Sequence, residues 1–440
     1  MRHAHRLTRR QFLRQYGIAS SALTFSPYFI ERFSSVCHAA SYLTRVYKVM
    51  NGDPFQNMAK VLEMAGGISR FIGPTDVVVI KANGQWPNQG YTHTGCIKGV
   101  IDAVLGIPGF SGEVLICDNI QNYGSIGQFG FDATTAYRMH NWPDHNWNSL
   151  AADYAAKSKP VATKRWMNSN DWRTLPSAPP CFSPWNPSGG EGWVRYFFNY
   201  NGQPTYLSYP IFSSPVTPGR MIDMKNGVWE SGAYTGRRVR TICMPTLNNH
   251  GAGSNEDVGI TSAIKSFFGA TEIHTGVSGL WNGYRNIHSS GNYVTSLFST
   301  ACGELPGIFI KNLYSPVLYI TAAMWSGWYS RTGAAAETKT VLACENPVTL
   351  DYIASRDVIS PYASWLSPDQ DTHTRQQILG CNTQGLGTID PSQFEVITYD
   401  FDNPTANRLD VERRIRDFKS GMVSEQDVKD TIQLYMQSDN

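Results

Sequence analysis

An α/β fold is what this sequence predicts: an open, mostly parallel sheet with flanking helices, an aromatic-rich insertion and a C-terminal helix pair. Three observations lead there. Short β-branched runs alternate with longer stretches of helical period, the pattern of strands joined by crossover helices. The run Val77-Val78-Val79-Ile80 is apolar at every position, as a strand covered on both faces must be. Between two such halves, residues 139–229 hold seven of the twelve tryptophans and a proline-rich stretch, the composition of an insertion.

The strand at 77–80 leads into a helix capped by Thr94, with Ile97, Val100, Ile101, Val104 and Leu105 on its apolar face. Residues 113–117 supply a second strand. A third, at 239–244, is followed by a polar loop and a helix over 260–268. Strands at 317–321 and 340–344 complete the sheet, the latter entering a helix at about 348–355. Within the insertion, set at about 139–235, residues 176–192 read as a long loop. Residues 194–209 form a hairpin turning at Asn201-Gly202, a pair that accepts the positive φ of a two-residue turn. Its tryptophans read either as a small core where aliphatics are few or as the lining of a sugar or apolar ligand cleft. The main domain spans 41–400 and the C-terminal hairpin 401–440. Its helices, 409–419 and 425–437, break at Ser420-Gly421, with Ser424 and Asp427 as a capping box and Val428, Ile432 and Tyr435 on one face. Asp400 and Asp402 lack the glycine and the twelfth-position glutamate of a calcium loop.

A net charge of +2 with 16% charged residues disfavours an electrostatic nucleic-acid binder. No stretch after the N-terminal segment reaches the length of an apolar span, so no stable transmembrane anchor is expected. Residues 1–40 read as an export signal. Arg9-Arg10-Gln11-Phe12-Leu13 follows Thr8, the weakly apolar stretch 16–30 comes next, and Ala39-Ala40 offers small residues for cleavage. Paired arginines ahead of a weakly hydrophobic core make the twin-arginine translocase the expected partner during export. The destination is then the periplasm or the exterior. Removal of the signal leaves seven of the eight cysteines, widely spaced and often at the ends of apolar runs, and these are expected to be mainly buried thiols, with a bridge involving Cys181 and Cys302 left open by an export compartment that permits disulfides. C-x-x-C, C-x-x-C-H and ferredoxin cysteine runs are absent, so there is no haem or ferredoxin-type cluster motif.

Open α/β sheets bind ligands beyond the carboxyl ends of their strands. The polar residues following each strand are therefore the candidates: Lys81 and Asn83, Asp118 and Asn119, Asn248, Asn249 and His250, Glu345 and Asn346. Lys81 and His250 are of types that move protons, and they are the catalytic candidates. Asp118, His250 and Glu345 have ligand atoms for a metal ion, which is admitted as a cofactor. Asn83 and Asn249, with Gly251 and Gly253 ahead of a predicted helix, are placed to hold a cofactor or anion. Neither Gly124-Ser125-Ile126-Gly127 nor Gly251-Ala252-Gly253 matches the dinucleotide fingerprint, and Gly-x-Ser-x-Gly and H-E-x-x-H are absent.

Three segments occur in an order that resembles the domain of unknown function family 362. They are Val79-Ile80-Lys81-Ala82-Asn83 with the 94–105 helix and 113–118 strand, Met244-Pro245-Thr246-Leu247-Asn248-Asn249-His250 followed by 261–269, and Glu345-Asn346-Pro347-Val348-Thr349-Leu350-Asp351. The resemblance covers most of residues 75–360 outside the insertion. It implies a fold and little about a reaction. Asn248 stands where the resemblance implies a lysine, the acidic residue it implies after the late strand is replaced around Thr321-Ala322, and the ferredoxin-type clusters appended in some relatives are missing.

Two functions remain from the sequence. One is an exported cofactor- or metal-containing enzyme whose cleft gathers Lys81, Asp118, His250 and Glu345. The other is a non-catalytic extracytoplasmic protein that binds a small-molecule ligand or a partner. A shared concave pocket for the four side chains favours the first; their dispersal beside exposed aromatic rings favours the second.

Overall fold

The computed structural model describes residues 43–119, 130–134, 138–142, 144–166, 180–251, 253, 259–272, 280–293, 298–403, 415, 418 and 424–437. The predicted export signal, the Gly124–127 loop and most of the predicted 409–419 helix lie outside the described residues. The chain divides into two compact units, one of them Thr44–Pro404 and the other combining Met1–Leu43 with Thr405–Asn440.

The larger unit is α/β. Its main sheet has eight strands: β1 Thr44–Met50, β2 Val77–Ala82, β3 Glu113–Asp118, β4 Val161–Arg165, β5 Val239–Met244, β6 Leu318–Ala323, β7 Thr340–Cys344 and β8 Phe394–Asp400, in the order β8-β1-β7-β6-β5-β2-β3-β4. Strands β4, β3, β2, β5 and β6 run parallel to one another. β8 is parallel to β1, while β7 is antiparallel to both of its neighbours, β1 and β6. The cause is the connection. Residues 324–339 between β6 and β7 contain no helix, and a strand joined to its neighbour without a crossover returns in the opposite direction.

Every residue of β2 and β3 is buried, which explains why their sequences read as unbroken apolar runs. The helices α1 Pro54–Met64, α2 Thr94–Leu105, α3 Trp147–Ala156, α4 Phe298–Asn312, α5 Pro347–Ala354 and α6 His373–Asn382 accompany the sheet. Asp53 opens α1 through a reciprocal capping box with Gln56. The cap of α2 is His93 and not Thr94: His93 Nδ1 accepts from the Gly95 N–H at 3.1 Å. Burial holds that imidazole down at about 3, so the ring stays neutral and keeps its lone pair for the cap. Helices α4 and α6 cross backbone to backbone. A Cβ on Gly303 would stand 1.8 Å from Gln377 O, and one on Gly380 would stand 2.3 Å from Thr300 O.

Two other expectations need correction. Residues 260–268 are not an α-helix. Ile260–Thr261 pairs with Leu247–Asn249 as a strand, and only Lys265–Gly269 turns, as a 3₁₀ helix. The β-branched pair at 260–261 takes the ladder partner that is at hand. The insertion also begins later than composition suggested, because β4 lies inside 139–235 and belongs to the main sheet.

The insertion forms a second sheet around the hairpin Gly192–Tyr200 and Gln203–Ser213, with Tyr200 opposite Gln203. Asn201 and Gly202 at its turn have φ of 47° and 79°, the left-handed pair such a turn requires. Trp193, Leu207 and Phe212 of this sheet share one core cluster with Val79 and Cys117 of the main sheet. Seven cysteines, Cys96, Cys117, Cys181, Cys243, Cys302, Cys344 and Cys381, are free thiols, all buried but Cys181. In the smaller unit, Ser424 and Asp427 exchange hydrogen bonds at the start of the helix Glu425–Gln437, and Val428 and Ile432 are buried. No helix among the described residues is long and apolar enough to cross a membrane.

Candidate functional site

Three loops meet beyond the carboxyl ends of β2, β5 and β6. Their backbone pairing is a small sheet of Leu247–Asn249 with Ile260–Thr261 and Ser326–Gly327. Side chains brace it. Gln89 Nε2 donates to Ser330 O at 3.0 Å and Gly333 O at 2.9 Å, and Asn248 Nδ2 donates to Gln89 O at 3.0 Å. Asn249, a cofactor candidate, donates to Gly253 O at 2.9 Å and Tyr329 O at 3.1 Å and accepts from Gly251 N–H at 3.0 Å. Asn249, Gly251 and Gly253 thus engage one another in a turn, with Gly253 at φ +60°. Asn83 holds the loop after β2 by backbone bonds, its N–H donating to Thr92 Oγ1 at 2.9 Å and its carbonyl accepting from Thr92 N–H at 2.8 Å.

Lys81 and Asp118 leave adjacent strands and form a buried ion pair, Nζ to Oδ1 3.0 Å, with side chains only 1% and 3% exposed. Lys81 also donates to Ala82 O at 2.7 Å, and Asp118 Oδ2 accepts from Gly84 N–H at 2.8 Å. Gly269 closes over them, since a Cβ there would stand 3.0 Å from Asp118 Oδ1 and 3.1 Å from Lys81 Nζ. Burial pushes the Asp118 carboxyl up against the opposing pull of Lys81. The pair is sealed and braces the loop after β2. The proton-transfer role drawn for Lys81 from its place after a strand does not fit this geometry.

His250 lies elsewhere on the same face. Its Nδ1 is 2.9 Å from Thr261 Oγ1 and its Nε2 is 3.0 Å from Arg331 Nη1. A guanidinium only donates, so Nε2 accepts and the neutral ring carries its proton on Nδ1, donating to Thr261. Burial holds His250 well below the ordinary imidazole range, and the positive charges of Lys265 and Arg331, with His288, add to that effect. The Arg331 guanidinium carbon lies 4.2 Å above the Trp86 ring. Lys265, 6% exposed, has Nζ 3.8 Å from Cys302 Sγ and 5.3 Å from the Phe268 ring centre. Phe268 meets the His288 ring edge-on at 4.8 Å. Burial and then Lys265 lower His288 to about 4.

Glu345 is at the other end of the sheet. Cys344, just before it, pairs with Tyr319 at the start of β6, and Glu345 itself bonds Arg70 with half of its side chain exposed. Asn346 caps α5, accepting from Thr349 N–H at 3.1 Å. The candidate metal ligands Asp118, His250 and Glu345 therefore stand in three places, the reversed direction of β7 being the reason for the last. Both nitrogens of His250 and both oxygens of Asp118 are engaged by protein groups. Among the described residues, no group of three or more His, Cys, Asp and Glu side chains gathers as a metal site.

Sequence reasoning reached His250 but not Lys265, His288, Arg331 or Trp86. Lys265 left one signal: it is a lysine among Ile264, Phe267 and Phe268, an apolar neighbourhood that a solvent-facing lysine does not need. His288 and Arg331 left none, because their neighbours along the chain say nothing about His250. No protein family, curated protein or solved structure matches the chain.

Proposed function

We propose that the chain is an exported α/β protein that binds a small polar molecule at the braced loops beyond β2, β5 and β6, with His250 as the organising residue. The observation that carries this reading is the Arg331–His250–Thr261 relay, in which a planar cation is fixed by an imidazole of defined tautomer. Its position supports it as well, since open sheets take ligands at their carboxyl ends. The enzyme reading required Lys81, Asp118, His250 and Glu345 in one cleft, and their separation favours binding over that catalytic set. The exposed ring of Tyr329, 45% accessible and beside Gly253, agrees with a binding surface there. The resemblance to the family 362 domain belongs with this reading, because Lys81 lies near the end of β2 and His250 follows the neighbouring β5 in the order it implies.

Two measurements test it. A thermal-shift screen of small polar molecules on the full chain and on His250→Gln should find ligands that stabilise the first and not the second, with unchanged circular dichroism. Equal stabilisation of both refutes the site. Replacing Arg9 and Arg10 by lysines should retain the precursor in the cytoplasm, because the paired guanidinium groups are what the export route reads. Normal export of that variant refutes the export reading.

A further inference from the structure

We propose that His93 is an acid-sensitive latch on the loop after β2, holding the N-terminus of α2 closed while its ring is neutral and releasing it when the ring takes a proton. The latch works whether or not a ligand binds nearby. Helices are commonly capped by Ser, Thr or Asn, whose oxygen accepts at any pH. At α2 the acceptor is instead an imidazole nitrogen, His93 Nδ1, 3.1 Å from Gly95 N. Acceptance at Nδ1 places the single proton of the neutral ring on Nε2. A second proton has only Nδ1 to go to, where it points at the Gly95 N–H and two donors face each other. The positive end of the helix opposes the same proton. With the residue only 4% exposed, water does not solvate the imidazolium either. Closure and protonation therefore exclude one another, and acid favours the open form.

The groups around the ring reinforce this. Trp142 meets His93 edge-on at 4.5 Å. His140, on the 3₁₀ turn Met139–Asn141 just before it, stacks on Trp325 at 3.7 Å and is lowered to about 4 by burial, so acid adds a second like charge beside the first. Within α2, Cys96 is a buried thiol raised by burial, and Lys98 pairs with Asp102. The start of α1 lies against the cap, since a Cβ on Gly95 would stand 3.0 Å from Pro54 Cβ. Its Asp53 carboxylate accepts from the N–H groups of Phe55 and Gln56. Among the described residues no carboxylate bonds His93 to offset a charge on it. The loop held in this way reaches further. Thr92 donates to Met244 O at 2.8 Å and accepts from Asn83 N–H at 2.9 Å, tying the loop to the end of β5. Gln89 of the same loop braces Ser330 and Gly333. Release at residue 93 thus loosens the loops beyond β2, β5 and β6 together.

The test is amide hydrogen exchange of the full chain, read by mass spectrometry from about pH 7 to about pH 4.5 and corrected for the intrinsic pH dependence of exchange. Below about pH 6.5, the ordinary imidazole value, opening of the first turn of α2 should rise about tenfold per pH unit. The first turn of α3, capped by the Asn146 amide, should show no such rise. His93→Asn keeps a capping acceptor and has nothing to titrate, so it should flatten the α2 response. A response of α2 that is flat in the parent, equal in His93→Asn, or matched by α3 overturns the proposal. Should His93→Asn not fold, exchange of the His93 C2–H in the parent decides. A midpoint below about 5.5 is expected, and a midpoint above that value overturns the latch.

Discussion

Replacing Lys81 by methionine separates a scaffold role from a chemical one. At 3.0 Å the two charges attract by about 5 kcal/mol for an effective dielectric of about 20, and the cost of taking both out of water offsets much of that. Methionine fills a similar volume but strands Asp118 in the core with only backbone N–H donors, those of Gly84 and Asn119, beside it. Breaking a buried pair on one side costs about 3–5 kcal/mol, and that is the loss expected at pH 7. In the variant the Asp118 carboxyl, already raised by burial, rises further above its unfolded value. Its contribution is then fully present below the unfolded value and is lost as pH climbs through the folded one, so the deficit shrinks in acid. Lys81→Met with Asp118→Leu removes both charges and should lie within about 1.5 kcal/mol of the parent. Urea unfolding followed by tryptophan fluorescence reads the right unit, since all tryptophans lie between 86 and 365. A loss below about 1 kcal/mol in the single variant, or a double variant as unstable as the single one, refutes the reasoning.

Gly303→Ala should cost about 3 kcal/mol, the upper end of overpacking, because its Cβ meets Gln377 O at 1.8 Å and a backbone carbonyl cannot swing aside; a melting temperature within a degree of the parent refutes this. Asp351, pushed up to about 7 by burial, favours the folded state fully below about 4 and loses that contribution as pH rises to about 7, a change of about 4 kcal/mol. The stability difference between the parent and Asp351→Asn should therefore fall across that window, and a difference constant from pH 4 to 8 refutes it. Glu345→Gln removes an exposed pair with Arg70 and should cost less than about 1 kcal/mol in urea unfolding; a loss above about 2 kcal/mol refutes this.

What was legible in the sequence was local or fully buried. Strands β2 and β3 announced themselves because burial on both faces demands apolar residues throughout. The hairpin at Asn201-Gly202 and the Ser424–Asp427 cap followed from turn and cap chemistry that needs only neighbouring residues. β1 and β8 were not legible. They pair with each other across the chain, Thr44 opposite Phe394, and their polar positions break the apolar pattern.

By itself the sequence determined the α/β class, four of the five strands of the parallel half, β4 being the one missed, and His250 as a residue of interest, because propensity, period and turn chemistry act over a few residues. Only the tertiary structure decided the direction of β7, since residues 340–344 are equally apolar whichever way they run. That direction carried Glu345 to the end of the sheet opposite His250. Only the fold could seal Lys81 against Asp118 under Gly269, and only the fold could set Thr261 and Arg331 on the two nitrogens of His250. Charges act through space, and the distances between those side chains are set by loops that the packed sheet holds in register.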